Sequence, residues 1–180
     1  MTGRYHTKRS RGSDLLDLLA SDRRFDPATF SPCRTWRYRL ERQWGRGPKA
    51  AFILLNPSTA DETKDDPTIR RCIGFAKAWG FGGLVLGNIF ALRSTDPRGL
   101  YSHADPVGPG NDEALRGIAR EAEKVVCGWG THGALNDRGR FALAVLREAG
   151  ATPLALKVTA EGFPGHPLYI SADIQPKAFP

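Results

Sequence analysis

Cysteine is scarce in this chain of 180 residues, and the scarcity narrows its chemistry. Cys33, Cys72 and Cys127 are odd in number and widely spaced, so they make neither a disulfide framework nor a zinc-binding pair. They read as reduced thiols of a cytoplasmic protein. His6, His103, His132 and His166 include no close pair, and nothing in the sequence calls for a metal or a cofactor. No apolar stretch is long enough to span a bilayer, which argues against a membrane partner. The basic N-terminus lacks the apolar core of a secretory signal. No G-x-G-x-x-G and no P-loop glycine pattern occurs, which counts against the common Rossmann and P-loop nucleotide sites.

Positive charge, by contrast, is plentiful. The formal net charge is +7 and the pI about 9.7. This favours a polyanionic partner, nucleic acid or a nucleotide; the alternative is a basic protein without one. Hydrophobic residues make up 41% of the chain, enough for one core, and length and composition fit a single soluble domain. Residues 1–12, with Arg4, Lys8, Arg9 and Arg11, read as a flexible basic arm, and residues 13–180 as the domain.

The domain alternates strands and helices. "SDLLDLLASD" reads as a short amphipathic helix and "RFDPATFSPCR" as a loop. "TWRYRLERQW" has period two, with Trp36, Tyr38 and Leu40 facing inward and Arg37, Arg39 and Glu41 outward, as in a half-buried strand. "AAFILLN" is a continuous apolar run, expected of a strand buried on both faces, and the two strands are placed to pair as a hairpin. "DPTIRRCIGFAKAWGF" reads as a helix capped by Asp66, with Pro67 in its first turn and Gly80 ending it. "GLVLGNIFAL" is the next strand, followed by a long Pro- and Gly-rich loop. A helix in "NDEALRGIAREAEK", a strand in "VVCGWG", a helix capped by Asn136 or Asp137 and stopped by Gly150, and a strand in "TPLALKV" complete the series. The alternation predicts an α/β fold, a three-layer α/β/α sandwich with a mostly parallel central sheet.

In such sheets ligands sit at the carboxyl ends of strands. Asn56, Asn88 to Arg93, Gly128 to Gly130 and the segment from Lys157 onward all follow strand ends and are expected to share one rim. Asn56 either satisfies backbone groups in a proline-locked turn or orients a water or a base edge. Arg93 either meets phosphate or pairs with Asp96 or Asp66. The acids Asp61, Glu62, Asp65 and Asp66 lack the spacing of a calcium loop and read as loop and helix cap. His166, in "GHPLY", is either structural or part of the site, and it shares with Asn56 a proline-locked turn after a strand.

The segments "LLNPSTAD", "DPTIRRC", "FAKAWGFGGLVLGNIFALRSTDP", "PVGPGND", "VVCGWG" and "GHPLYI" occur in the order of domain of unknown function 1643, a bacterial and phage family, which the chain resembles from Phe52 to Ile170. More distantly, "ILLNPS", the following helix, "VVCGWG" and "GHPLY" resemble the uracil-DNA glycosylase superfamily. There a strand ends in an Asn-Pro turn that positions the attacking water, and a later His turn serves the departing base. The resemblance implies a uracil-DNA-glycosylase-like fold and hydrolysis of an N-glycosidic bond. Asn56 and His166 would be catalytic, and Pro57, Ser58, Arg70, Asn88, Arg93, Trp129, Lys157 and Tyr169 would contact the substrate. A leucine takes the place of the glycine ahead of the Asn, Ser58 that of the glycine after the proline, and Leu168 that of a serine. Two alternatives stay open: an enzyme acting on a free nucleotide or nucleoside, and a non-catalytic interaction module.

Overall fold

The long apolar run is a strand buried on both faces. In a computed structural model that describes residues 27–58, 60, 61 and 63–180, it forms β3 (Lys49–Leu54), with Ala50 to Ile53 wholly inaccessible. The basic arm and the helix expected in "SDLLDLLASD" lie outside the described residues. Around β3 the chain builds β1 (Ala28–Phe30), β2 (Arg37–Gln43), β4 (Gly83–Asn88), β5 (Lys124–Gly128), β6 (Pro153–Ala155) and β7 (Lys177–Ala178). The helices are α1 (Pro67–Ala78), the single turn α2 (Gly99–Ser102), α3 (Asn111–Glu121) and α4 (Arg138–Glu148). β1 falls within the stretch read as a loop, and β7 within the C-terminal tail.

The strand order is β1-β2-β4-β3-β5-β6-β7. The four strands joined by helical crossovers, β4, β3, β5 and β6, are parallel. β2 runs antiparallel to both β1 and β4, and β7 antiparallel to β6. The sheet is therefore mixed, not mostly parallel. The antiparallel members lie toward its edges, where short returns replace helical crossovers.

β2 and β3 do not pair as a hairpin, because β4 lies between them. The reason is at Gly82. The amides of Trp44 and Gly45 both donate to Gly82 O, at 3.0 and 2.9 Å, and Gly82 N donates to Pro48 O at 3.1 Å. The link between β2 and β3 thus wraps over the start of β4. A Cβ at position 82 would stand 2.5 Å from Arg46 O, so only glycine fits there.

Side-chain alternation along the strands separates two apolar clusters. Ala51, Ile53, Val85, Val125 and Cys127 gather with Leu115, Ile118 and Ala119 of α3 and Ala142, Val145 and Leu146 of α4. Ala50, Phe52, Leu54, Leu84, Leu86 and Val126 gather with Ile69, Cys72, Phe75 and Ala76 of α1. α1 begins as its sequence predicts: Asp66 accepts from Ile69 N at 2.9 Å and Pro67 occupies the first turn. It ends before Gly80, whose φ of +83° suits glycine.

β2 departs from the half-buried pattern, since Arg37 and Glu41 are buried. Glu41 is reached by Arg39 and Lys49, which together neutralise it. Arg37 lies under the 56–66 loop and against Asn88.

Two crossovers leave the centre of the sheet in opposite directions. From β3 the chain passes through α1 to β4 on one side. From β4 it returns through α3 to β5 on the other side of β3. α1, which follows β3, and α4, which follows β5, belong to different clusters. The strand order therefore reverses between β3 and β5, and the crevice such a reversal opens lies beyond Leu54 and Gly128, which are register partners.

Candidate functional site

The loops leaving β3 and β4 are stitched together beyond the strands. Ile89 N donates to Leu54 O, Phe90 N to Leu55 O and Ser94 N to Pro57 O, each at 2.9 Å. Asn56 completes the seam, its Nδ2 donating to Ser94 O at 2.8 Å and to Pro57 O at 3.1 Å. Both partners are carbonyl oxygens, so they must receive the NH2 end of the amide. That orientation leaves Oδ1 with no donor among the described residues and available to a ligand or a water. Asn56 thus locks the turn, as one of its two expected roles requires, with its carbonyl oxygen turned away from the seam carbonyls.

A third loop joins this seam. Arg93 N donates to Thr35 O at 3.0 Å, and Trp36 and Leu92 form a β-bridge. Between these loops lies a cavity of about 600 Å³, lined by Arg34, Thr35, Ser58, Arg93, Ser94 and Thr95. Among the described residues its lining holds two guanidinium groups and four hydroxyl groups. The guanidiniums of Arg34 and Arg93 lie 4.0 and 5.0 Å from the centroid of one ring, Phe30. Arg93 Nη1 donates to Arg34 O at 3.2 Å, and its Nε is buried without a partner. Arg93 forms no ion pair with Asp96, which instead binds Arg98 at 2.7 Å. Arg34 adopts φ +56°, a left-handed backbone that side-chain-bearing residues rarely take.

Arg37 lies near this cavity. Its Nη1 donates to Ala60 O at 2.8 Å and its Nη2 to Asn88 Oδ1 at 3.3 Å, while its Nε is unpartnered. No carboxylate among the described residues forms an ion pair with it. Burial lowers its pKa to about 10, opposed by Asp66 and reinforced by the like charges of Arg93 and Arg42. Asn88 is accordingly a buried support for Arg37, not a residue open to substrate. The described acids of this loop are turn and cap, as expected: Asp61 accepts from Thr63 N and Lys64 N, Asp65 pairs with Arg42, and Asp66 caps α1, while Glu62 lies outside the described residues.

His166 approaches from the β5 side. It caps a single 3-10 turn, Pro167–Tyr169, and its Nδ1 accepts from Leu168 N at 3.3 Å. In the neutral ring this leaves the N–H on Nε2, pointing a donor away from the turn. Burial lowers the His166 pKa, and Asp66 opposes the shift. Pro167 seals the reversal point. A Cβ on Gly128 would lie 2.8 Å from Pro167 Cδ and 3.1 Å from Leu54 Cδ2, so glycine lets the His166 turn close on the ends of β3 and β5. Arg71 of α1 donates to Ile170 O and ties the same turn to the helix. Asp66 acts electrostatically on both Arg37 and His166, so the N-terminus of α1 is near both halves of the rim.

The other expected contacts divide. Pro57 and Ser58 belong to the seam, and Ser58 lines the cavity. Tyr169 is 84% exposed, with its ring 5.7 Å from that of His166. Lys157 is exposed at the base of the 157–165 return, where its carbonyl accepts from Gly165 N. Arg70 is exposed on α1, donating to Asp65 O at 2.6 Å. Trp129 is core: it is buried against Phe179, Gly133 and Gly139, and a Cβ at either glycine would collide with its indole. Arg34, Thr35, Ser94 and Thr95 were not singled out from the sequence. The run "RSTDP" directly after a strand-ending segment carries the signal for the last two.

Comparison with known proteins gives one match. No curated protein and no solved structure matches the chain. The family model described as "Protein of unknown function (DUF1643)" matches residues 37–168, which span β2 to the His166 turn and so include the seam, α1 and both glycine-keyed loops. On that match over most of its length, the chain belongs to the DUF1643 family.

Proposed function

We propose that the protein binds nucleic acid or a nucleotide at the carboxyl ends of β3, β4 and β5, and that it hydrolyses an N-glycosidic bond there. The overall arrangement we infer is a three-layer α/β/α sandwich of the uracil-DNA-glycosylase kind. One observation carries the reading: beside the strand-order reversal, an Asn whose carbonyl has no donor among the described residues adjoins a cavity lined by guanidinium and hydroxyl groups. A lining of guanidinium and hydroxyl groups suits a phosphate-bearing ligand.

The chemistry follows from the groups. Asn56 Oδ1 accepts a hydrogen bond from a water and orients its lone pair at the anomeric carbon. The C–N bond breaks, its electron pair leaves with the base, and the His166 Nε2–H stabilises the charge that gathers there. The water's oxygen bonds to the sugar and its surplus proton passes to solvent. A duplex substrate would have to turn its base out to reach the crevice.

Fluorescence anisotropy with single- and double-stranded DNA at two salt concentrations tests binding, which must weaken as salt rises. Chromatographic detection of released base, in the native protein and in Asn56→Ala, tests the reaction. No binding to either DNA at low salt removes the nucleic-acid reading, and release that persists in Asn56→Ala removes the catalytic one. The size of the cavity favours a second reading, action on a free nucleotide, since that volume matches small-molecule sites. Thermal stabilisation by nucleotides without DNA binding is its signature.

A further inference from the structure

We infer that Tyr101, held by His132, is a stacking face for an unpaired base, so that the nucleic acid bound at the rim is single-stranded and not duplex. The inference deepens the reading above and rests on its nucleic-acid half.

Position is the first argument. Tyr101 lies in α2, within the loop that follows β4, and His132 in the loop that follows β5. Tyr101 Oη and His132 Nδ1 are 2.9 Å apart, so the pair bridges two loops of the rim. α2 also abuts the cavity wall: a Cβ on Gly99 would stand 2.8 Å from Ser94 Oγ, and Ser94 O receives the Asn56 amide. On the β5 side, Gly130 N donates to Pro164 O at 2.9 Å, which joins the His132 loop to the return that carries His166. The Tyr101 ring is thus tied by short contacts to both halves of the crevice.

Preorganisation is the second. Tyr101 is 56% exposed, yet its hydroxyl is fixed. Its ring meets the imidazole at 75°, with centroids 5.9 Å apart. Its neighbour Leu100 is buried and anchors the turn. An exposed ring that is already held loses little freedom when a base stacks on it.

The local balance of charge is the third. Arg98, just before Tyr101, pairs with Asp96 at 2.7 Å, and Arg140, in the first turn of α4, pairs with Asp137 at 3.2 Å. This part of the rim therefore presents a ring more than a charge. The bases of a duplex are stacked on one another and gain little from a lone aromatic face, whereas an unpaired base presents its own face directly. The phosphates of the strand then answer to the net charge of +7 of the whole chain.

Fluorescence anisotropy tests this with three ligands of one length: a thymine strand, the same strand without its bases, and a duplex containing it. The first two carry the same phosphates, so their difference reads the bases alone. The thymine strand is expected to bind about tenfold tighter than either of the others, the worth of one base stacked on an aromatic ring. Tyr101→Ala is expected to reduce it to the affinity of the abasic strand. Tyr101→Phe gives up the bond to His132 but keeps the ring, and is expected to retain most of the advantage; Tyr101→Leu is expected to lose it. The loss in Tyr101→Ala is expected to be the same at two salt concentrations, although total binding weakens as salt rises. A thymine strand bound no tighter than the abasic strand or the duplex, or an advantage untouched by Tyr101→Ala, overturns the inference while the nucleic-acid reading stands. An advantage lost equally in Tyr101→Phe and Tyr101→Leu also overturns it, since the bond to His132 and not the ring would then be the cause. No binding of any of the three at low salt removes the nucleic-acid reading itself, and the inference with it.

Discussion

The Asn56 side chain donates to Ser94 O at 2.8 Å, across the gap between the loops that follow β3 and β4. One bond thereby aligns a candidate reacting group with the wall of the cationic cavity, because Ser94 and its neighbours Arg93 and Thr95 line that cavity. The same amide also holds Pro57 O.

Asn56→Ala removes both bonds and takes the side-chain donor from Ser94 O, while Pro57 O keeps the Ser94 amide. The expected loss is about 2 kcal/mol of folding stability, roughly 1 kcal/mol for each hydrogen bond. Asn56→Asp is expected to cost more above the carboxylate pKa, since it sets a negative charge against two carbonyl oxygens. Urea melts at neutral and at mildly acidic pH distinguish them: the Asp variant must regain stability when its carboxyl is protonated.

His166 gives a pH signature. Burial holds its folded pKa below the ordinary 6.5. Above that value both folded and unfolded states carry a neutral ring, and the full contribution is present. As pH falls through 6.5 the unfolded chain takes up a proton that the folded chain refuses, so stability drops. His166→Gln is expected to flatten this part of the profile. Thermal melts of both proteins between about pH 7.5 and 5.5 measure it, and parallel profiles would show that another group is responsible.

Glu121 answers for the acid limb. Burial would raise its pKa, but hydrogen bonds from Arg39 and Lys49, with their charges, outweigh burial and hold it at about 2. A depressed carboxylate contributes fully above its unfolded value of 4.5, and the contribution fades as pH falls from there toward 2. Glu121→Gln is expected to be less stable than the native protein at neutral pH and to lose less on acidification. Chemical melts at pH values on either side of that window read the difference.

The three cysteines are expected to separate by reactivity. Hydrogen bonding with Ser31 and then Thr35 lowers the pKa of exposed Cys33 to about 7, whereas burial raises Cys72 and Cys127. Iodoacetamide followed by peptide mass spectrometry should label Cys33 alone in the native protein, with a rate midpoint near neutral pH. Labelling of all three at similar rates would contradict the packing.

What was legible in the sequence was local. The Asp66–Pro67 start of α1, its end at Gly80, the doubly buried β3 and the stop at Gly150 each depend on residues a few positions apart, and each is present. What the sequence hid was long-range. The β2–β3 hairpin fails because Gly82, far along the chain, captures the connecting turn. Arg37 reads as solvent-facing on an alternating strand, yet its partner Asn88 lies 51 positions away. Asn88 and Trp129 looked like ligand contacts because they end strands, and tertiary packing claimed both. Arg34 sat unnoticed in a proline-rich loop, since only the fold brings it onto the ring that Arg93 also occupies.

The margins of the sheet carry one more consequence. Among the described strands, β1 has three residues and β7 only two, and each runs antiparallel to its neighbour. Such stubs leave few unpaired amides for a neighbouring molecule to zip onto. Copies of the protein can therefore lie side by side without fusing their sheets.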